Sequence, residues 1–373
     1  MRRPVYLAGG EADSAAGTGL AASVAACLAE APLPQIERFD TQLGELALPF
    51  FPFAETQEPV ARVQRVAESA LQRAGLDRDA RGRMGLFVGS SSGLLHSQEQ
   101  DYLRELAAGA TPLVLRHPYM GDTAEQLAVL LGIGGPRQTI TTACSAGANA
   151  ILYAAWMIRE GLIDEALVVG TEFRNQLSLL GFHSLLLVSR DRCRPFDLER
   201  TGVVLGETAA ALVLSAHRPQ RGWEVVGGGT LCDVSHPTSP APQKIAQTLQ
   251  QALDDAQLAA ADILAVKAHG TGTGSNDLAE GLGIRHVFAQ PPPVTSIKPV
   301  FGHTLGACGV LETLALTGCL EQGWMPATGG LSQPDPEIGL APLAQPLRLP
   351  RGPVLLNYFG FGGNNCSLVL RPC

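Results

Sequence analysis

Short runs of β-branched and aliphatic residues that stop at glycine or a small polar residue recur along this chain, and that recurrence constrains the fold more than any other feature. Val5-Tyr6-Leu7, Gly85-Leu86-Phe87-Val88-Gly89, Ala166-Leu167-Val168-Val169-Gly170 and Ala211-Leu212-Val213-Leu214 have the apolar continuity of strands covered on both faces. Between them lie longer amphipathic or alanine-rich stretches at 57–74, 122–132 and 145–160, which predict helices. Strands alternating with helices predict an α/β architecture whose sheets are largely covered by helices.

A polar joint at His217-Arg218-Pro219-Gln220-Arg221-Gly222 interrupts the series, which restarts at Glu224-Val225-Val226-Gly227. Further strands are predicted at 263–267, 294–297, 353–358 and 366–370, and helices near 241–256, 277–288 and 306–322. The expected organisation is two halves of related layout, 1–220 and 221–373.

Of the 373 residues, 46 % are hydrophobic and 17 % charged, which excludes disorder, and charges in every region exclude an integral membrane protein. The apolar stretch after Arg2 and Arg3 breaks at Gly9-Gly10-Glu11, too soon for a signal-peptide core, so a soluble cytoplasmic protein with no membrane partner is expected. A net charge of −8 argues against nucleic-acid binding. The eight cysteines are irregularly spaced with no CxxC pair, unlike a disulfide framework or a zinc site, and free thiols are expected. Arg190, Arg192, Arg194 and Arg200 make the densest basic cluster, readable as a solvated turn or as a contact for an acidic partner.

Gln138-Thr139-Ile140-Thr141-Thr142-Ala143-Cys144-Ser145-Ala146-Gly147 runs from a strand-like segment into an alanine-rich helix, placing Cys144 in the turn between them. The positive end of the helix dipole and nearby backbone N–H groups are expected to lower the pKa of a thiol there. The bland alternative is a small core cysteine. In the second half, Leu264-Ala265-Val266-Lys267-Ala268-His269-Gly270-Thr271-Gly272-Thr273-Gly274 reads as a strand entering a loop too glycine-rich for a helix, with His269 at its end; Asn276, Asp277 and Glu280 then open a helix. Thr295-Ser296-Ile297-Lys298-Pro299-Val300-Phe301-Gly302-His303 again leads through a turn toward a small-residue helix, so Cys144 and His303 are expected at similar places in the two halves. A thiolate beside two imidazoles suits acyl transfer, one group attacking and the others donating to developing negative charge. Metal binding is the weaker reading, because no HxxxH or CxxC spacing accompanies them.

As a set, these residues resemble the elongating β-ketoacyl synthases of the thiolase superfamily. TACSAG around Cys144, HGTGT from His269, SIKPVFGHTLGACG around His303, Arg194-Pro195-Phe196-Asp197 with Val204-Leu205-Gly206-Glu207, and Asn357-Tyr358-Phe359-Gly360-Phe361-Gly362-Gly363-Asn364-Asn365 occur in family order, from about residue 80 to the end. The resemblance implies a five-layered αβαβα thiolase-like fold of two pseudo-repeated halves, normally dimeric, and a decarboxylative condensation of an acyl-enzyme with a malonyl thioester. Carried over by position, Cys144 is the acyl-accepting nucleophile, and His269 and His303 assist decarboxylation and hold the enolate oxygen. Lys298 orders the site with Glu280 as its acidic companion. Thr271 and Thr273 hold the phosphopantetheine arm. The N–H groups of Cys144 and Phe361 form an oxyanion hole, and Phe359, Gly360, Phe361 and Gly362 belong to an acyl gate.

The same resemblance implies no nucleotide, flavin or metal, only substrates on the phosphopantetheine of an acidic acyl carrier protein, which would give the arginine cluster a use. A thiolase would need a second cysteine in the C-terminal glycine loop, whereas Cys366 lies beyond it, and initiating synthases carry Asn where His303 stands. The rival reading is a silent chain-length factor in a heterodimeric polyketide or polyene synthase. Retention of Cys144, His269, Lys298 and His303 favours the active enzyme, while Gly206-Glu207-Thr208, Asn364 and Gly274-Ser275 depart from the common pattern and point to secondary metabolism.

Overall fold

The computed structural model describes residues 2–41, 44–109, 111 and 119–373. The first half contributes β1 (Tyr6–Ser14), β2 (Gly85–Gly89), β3 (Arg137–Ile140), β4 (Glu165–Glu172) and β5 (Thr208–Ser215). The second contributes β6 (Trp223–Cys232), β7 (Ala265–Lys267), β8 (Val294–Thr295), β9 (Val354–Phe359) and β10 (Asn364–Pro372). From one outer edge to the other their order is β3-β2-β4-β5-β1-β6-β10-β9-β7-β8. Each strand of the first half therefore has a counterpart in the second, and the directions agree. β2 runs parallel to β3 and β4, while β5 is antiparallel to β4 and β1. β7 runs parallel to β8 and β9, while β10 is antiparallel to β9 and β6. The halves meet where Tyr6 pairs with Glu224.

Alternation along the strands explains why these runs are apolar throughout. Leu86, Val88, Leu167 and Val169 pack outward against α1 (Pro59–Arg73) and α2 (Asp122–Leu131). Phe87, Val168 and Leu212 turn inward onto α3 (Ala146–Arg159) and α6 (Cys308–Glu321), which also receive Leu356, Leu368 and Leu370 from the second half. Leu355 and Val369 face α4 (Pro242–Ala256) and Ile284 of α5 (Gly274–Val287). Helices thus cover both faces of each half, giving five layers, with α3 and α6 as the shared middle.

A middle helix is buried over most of its circumference and has no polar face to declare itself by period, which is why α3, where only Trp156 is exposed, and α6 read as small-residue stretches. Their starts approach backbone to backbone. A Cβ on Gly309 would collide with the backbone nitrogen of Ala148, and one on Gly147 would lie 2.9 Å from the carbonyl oxygen of Gly306.

The structure extends some sequence expectations. The first strand continues through Glu11 and Asp13 to Ser14 because both acids have partners on α1: Asp13 pairs with Arg62 at 2.8 Å and with Arg65, and Glu11 with Arg73 at 2.9 Å. A hairpin of Gln35–Thr41 and Gly44–Phe51 and helices Leu20–Leu28, Leu95–Ala107 and Gln176–Ser184 carry weaker patterns and were not expected. All eight cysteines are free, as expected. Among the described residues no helix is long and apolar enough to cross a membrane. Gly309→Ala is expected to force α3 and α6 apart and cost about 1–3 kcal/mol of stability, readable as a lowered midpoint in thermal or urea unfolding; unchanged unfolding would show that the crossing is slack.

Candidate active site

The site is assembled at the carboxyl ends of β3, β7, β8 and β9, where loops can expose polar groups without breaking a ladder. After β3, a single helical turn, Ala143–Ser145, leads into α3. Ala143 adopts φ 49, an unfavourable left-handed conformation for a residue with a Cβ. Leu305 does the same at φ 43, opening the turn Leu305–Ala307 before α6. The turns correspond, so the counterpart of Cys144 is Gly306. His303 lies three residues earlier, which corrects the expected equivalence of the cysteine and the histidine.

Cys144 Sγ and ring nitrogens of His269 and His303 all lie within 4.8 Å of one another, and all three residues are buried. The imidazoles meet edge to face, centroids 5.3 Å apart at 84°. Both are held well below the usual histidine range, first by burial and then by the positive charge of Lys298. They are therefore neutral N–H donors at pH 7. Among the described residues each Nδ1 is buried without a hydrogen-bond partner, an arrangement that costs about 1–3 kcal/mol per atom and that packing alone would not favour. The three donor atoms are close enough to share a cation, but the Lys298 ammonium behind them opposes one.

The thiol contradicts the expectation of a depressed pKa. Burial pushes Cys144 up to about 11, and the opposing influences of Lys298 and the Phe361 N–H do not offset it. Cys144 therefore rests as a thiol, because loss of water around the sulfur outweighs the favourable field. The backbone N–H groups of Phe361 and of Cys144 itself both address the sulfur.

Lys298 and Glu280 are both buried here but are not companions. Glu280 accepts the backbone N–H of His269 at 2.7 Å and of Gly270 at 2.8 Å, and Asn357 Nδ2 at 3.1 Å. It shapes the loop that carries His269, and burial lifts its carboxyl to about 7 despite those donors. The acid paired with Lys298 is Glu312 on α6, at 2.6 Å, whose second oxygen takes Lys267. Neither Glu312 nor Lys267 was picked out from sequence, although a lone charge inside an apolar helix or strand is a usable signal. Glu172, at the end of β4, was also missed. Its carboxylate accepts from Ser90 Oγ at 3.2 Å and from Gly306 N at 3.3 Å, tying β4 to the turn before α6.

Thr271 and Thr273 join hydroxyl to hydroxyl at 2.9 Å, and Asp277 accepts the Thr271 N–H at 3.0 Å and the Phe196 N–H at 2.8 Å. Phe361 stacks on Phe182, centroids 5.5 Å apart, and Phe359 stands against His269 at 6.0 Å. Gly360 donates to the Asn364 carbonyl and Gly362 to that of Pro237, so the glycine loop is anchored at both sides. A narrow cleft brings together Cys144, His269, His303, Thr271, Thr273 and Phe361, with His236 to Pro240 completing a wall that no sequence signal marked.

A buried thiol facing two neutral imidazoles and two convergent backbone donors defines a condensing or acyl-transfer site. Family models agree: the β-ketoacyl synthase N-terminal domain matches residues 18–219 and the C-terminal domain residues 223–332. Nodulation protein E of Rhizobium leguminosarum bv. trifolii is 32% identical over 320 residues, 82% of this chain and 80% of that protein. The chloroplastic 3-oxoacyl-[acyl-carrier-protein] synthase I of Hordeum vulgare is 31% identical, covering 83% and 72%. The solved ishigamide ketosynthase/chain length factor superposes with TM-score 0.87 at 30% identity, covering 100% of this chain and 99% of that one. This chain belongs to the β-ketoacyl synthase family, with the thiolase-like fold, and is an acyltransferase of the condensing type.

The histidines give the structure a pH signature. Below pH 6.5 the unfolded chain takes up protons that His269 and His303 refuse in the fold, so their contribution to stability is present above 6.5 and is lost as pH falls. A slope of up to about 1.4 kcal/mol per pH unit per histidine is expected just below that value. Urea unfolding of the His269→Gln, His303→Gln double variant should show a flatter acid limb; equal slopes would contradict buried neutral rings.

Proposed function

We propose that this chain lengthens an acyl group carried on the phosphopantetheine of an acyl carrier protein, by decarboxylative Claisen condensation with a malonyl thioester. The observation that carries the reading is the meeting of Cys144 Sγ with two imidazoles that are neutral for a physical reason. Cys144 attacks the incoming thioester, and its proton leaves with the departing pantetheine thiol. The N–H groups of Cys144 and Phe361 hold the tetrahedral oxyanion during that exchange.

The malonyl thioester then loses CO₂, and the electron pair left behind forms an enolate. His269 and His303 donate N–H to its oxygen while Lys298 places positive charge behind both rings. The enolate carbon attacks the Cys144 thioester, and the sulfur departs as a thiolate and takes a proton from solvent, which its high pKa favours. Thr271 and Thr273 hold the pantetheine arm, and the Phe359 to Gly363 loop is the acyl gate.

The docking face for the carrier includes Arg190 and Arg192, which form no ion pair among the described residues. Arg194 is taken by Asp191 at 2.6 Å and Arg200 by Asp335 at 2.5 Å, which removes half of the basic cluster from that role. Assembly as a homodimer or with a second synthase-like subunit is supported by β3, an outer edge strand with exposed Arg137 and Gln138, and by the paired ketosynthase/chain length factor it superposes on. Free thiols throughout suit the cytoplasm.

The test incubates the purified chain, alone and with any co-encoded homologue, with acyl- and malonyl-carrier protein and follows the enzyme by mass spectrometry. Acylation at Cys144 with condensation is expected; no acylation, but altered product length in a mixed complex, would leave only a chain-length role. Cys144→Ala should abolish condensation. His303→Ala should spare acylation and lower CO₂ release about 100-fold or more, within the range of a lost acid-base or oxyanion contact, and normal turnover by that variant would refute the assignment.

A further inference from the structure

Lys267 is a second lysine wholly buried beside the histidines, and the reaction described above gives it nothing to do. It ends β7, two residues before His269. Its ammonium pairs with Glu312 Oε2, donates to the Asn357 carbonyl at 2.9 Å, and lies 3.6 Å from the centroid of the Tyr358 ring. Glu312 gives its other oxygen to Lys298 at 2.6 Å. One carboxylate therefore bridges two ammonium groups.

Among the described residues, the ionisable groups that face Lys267 are Glu312 and Cys308 from α6, Lys298 from the turn Lys298–Phe301, Tyr358 from β9, and the two histidines, His269 and His303. Burial pushes the Cys308 thiol up to about 12 and the Tyr358 hydroxyl well above its ordinary value, so neither supplies negative charge at pH 7. Burial draws the Lys267 ammonium below its ordinary value while the Glu312 carboxylate opposes that; with Lys267 protonated, two cations and one anion leave a surplus positive charge enclosed in protein, which is costly to bury. A neutral side chain at 267 would leave Lys298 and Glu312 as a balanced pair, so ion pairing alone does not account for Lys267. The charge of Lys267 does reach both His269 and His303, where it opposes protonation.

We propose that Lys267 is a positioning residue for the condensation, pinning Glu312 between two ammonium groups so that Lys298 is fixed beside the imidazoles, and supplying the surplus positive charge behind both rings. The inference rests on the reading of His269 and His303 as donors to the enolate. Lys267 acts through Glu312, Lys298 and the local field, and touches no reacting atom.

Lys267→Met removes the charge at similar length. Titration of ¹⁵N-histidine signals in the full chain reads ring protonation without turnover, and loss of the cation should move His269 and His303 up by about half a pH unit or more, roughly a threefold gain in proton affinity. The acid limb of malonyl-carrier decarboxylation should move the same way, with kcat lowered severalfold near its midpoint, KM unchanged and Cys144 acylation retained. A merely structural lysine would lower the thermal midpoint and leave both titrations in place, and that result in a folded variant overturns the inference. Should Lys267→Met not fold, Lys267→Gln, which keeps a donor for the Asn357 carbonyl, carries the same comparison. Absence of decarboxylation by the wild-type chain would instead overturn the functional reading, whereas unmoved titrations beside an active wild type overturn only the role of Lys267.

Discussion

The contact between the starts of α3 and α6 is the constraint on which the rest depends. Glycine meets backbone there, at Gly147 against Gly306 and at Gly309 against Ala148, leaving no side chain to act as a spacer. The turn that carries Cys144 and the turn that follows His303 are thereby held together by main chain. A thiol donor reinforces the seam, since Cys308 Sγ reaches the carbonyl of Cys144 at 3.1 Å. Residues more than a hundred positions apart thus share one pocket because two helices, one from each half, are packed as closely as their backbones allow.

Around that seam the protein removes water, and removal of water sets the protonation states. Burial is the largest influence on Cys144, His269, His303 and Glu280 alike. It keeps a thiol protonated, two imidazoles neutral and a carboxyl near neutrality. The buried ammonium groups then add positive charge without touching the sulfur.

Much of this was legible in the residues. Strand runs ending in glycine gave the layered alternation, and Cys144, His269, His303 and Phe361 stood out because small residues and glycines surround chemically active ones. The roles proposed for them followed from order and resemblance, not from spacing. Glu280 shows where that reasoning fails: it lies eleven residues after His269, yet its oxygens serve the local backbone, while the partner of Lys298 comes from a middle helix. Sequence neighbourhood identifies loop-building contacts more readily than cross-layer ones. Likewise the depressed thiol pKa followed from the turn alone and was reversed by enclosure, which only the assembled layers reveal. The charged continuation of β1 was hidden because the arginines that neutralise Glu11 and Asp13 lie on another element.

Phe361 joins two duties in one residue. Its ring rests on Phe182, and its N–H addresses the Cys144 sulfur. Were a swing of the loop to part the two rings, the same movement would carry that N–H away from the sulfur. On the proposed reading of Cys144 as the acyl acceptor, entry and bond-making would then take turns, a thioester at this cysteine being fully polarised only after the door behind it has shut.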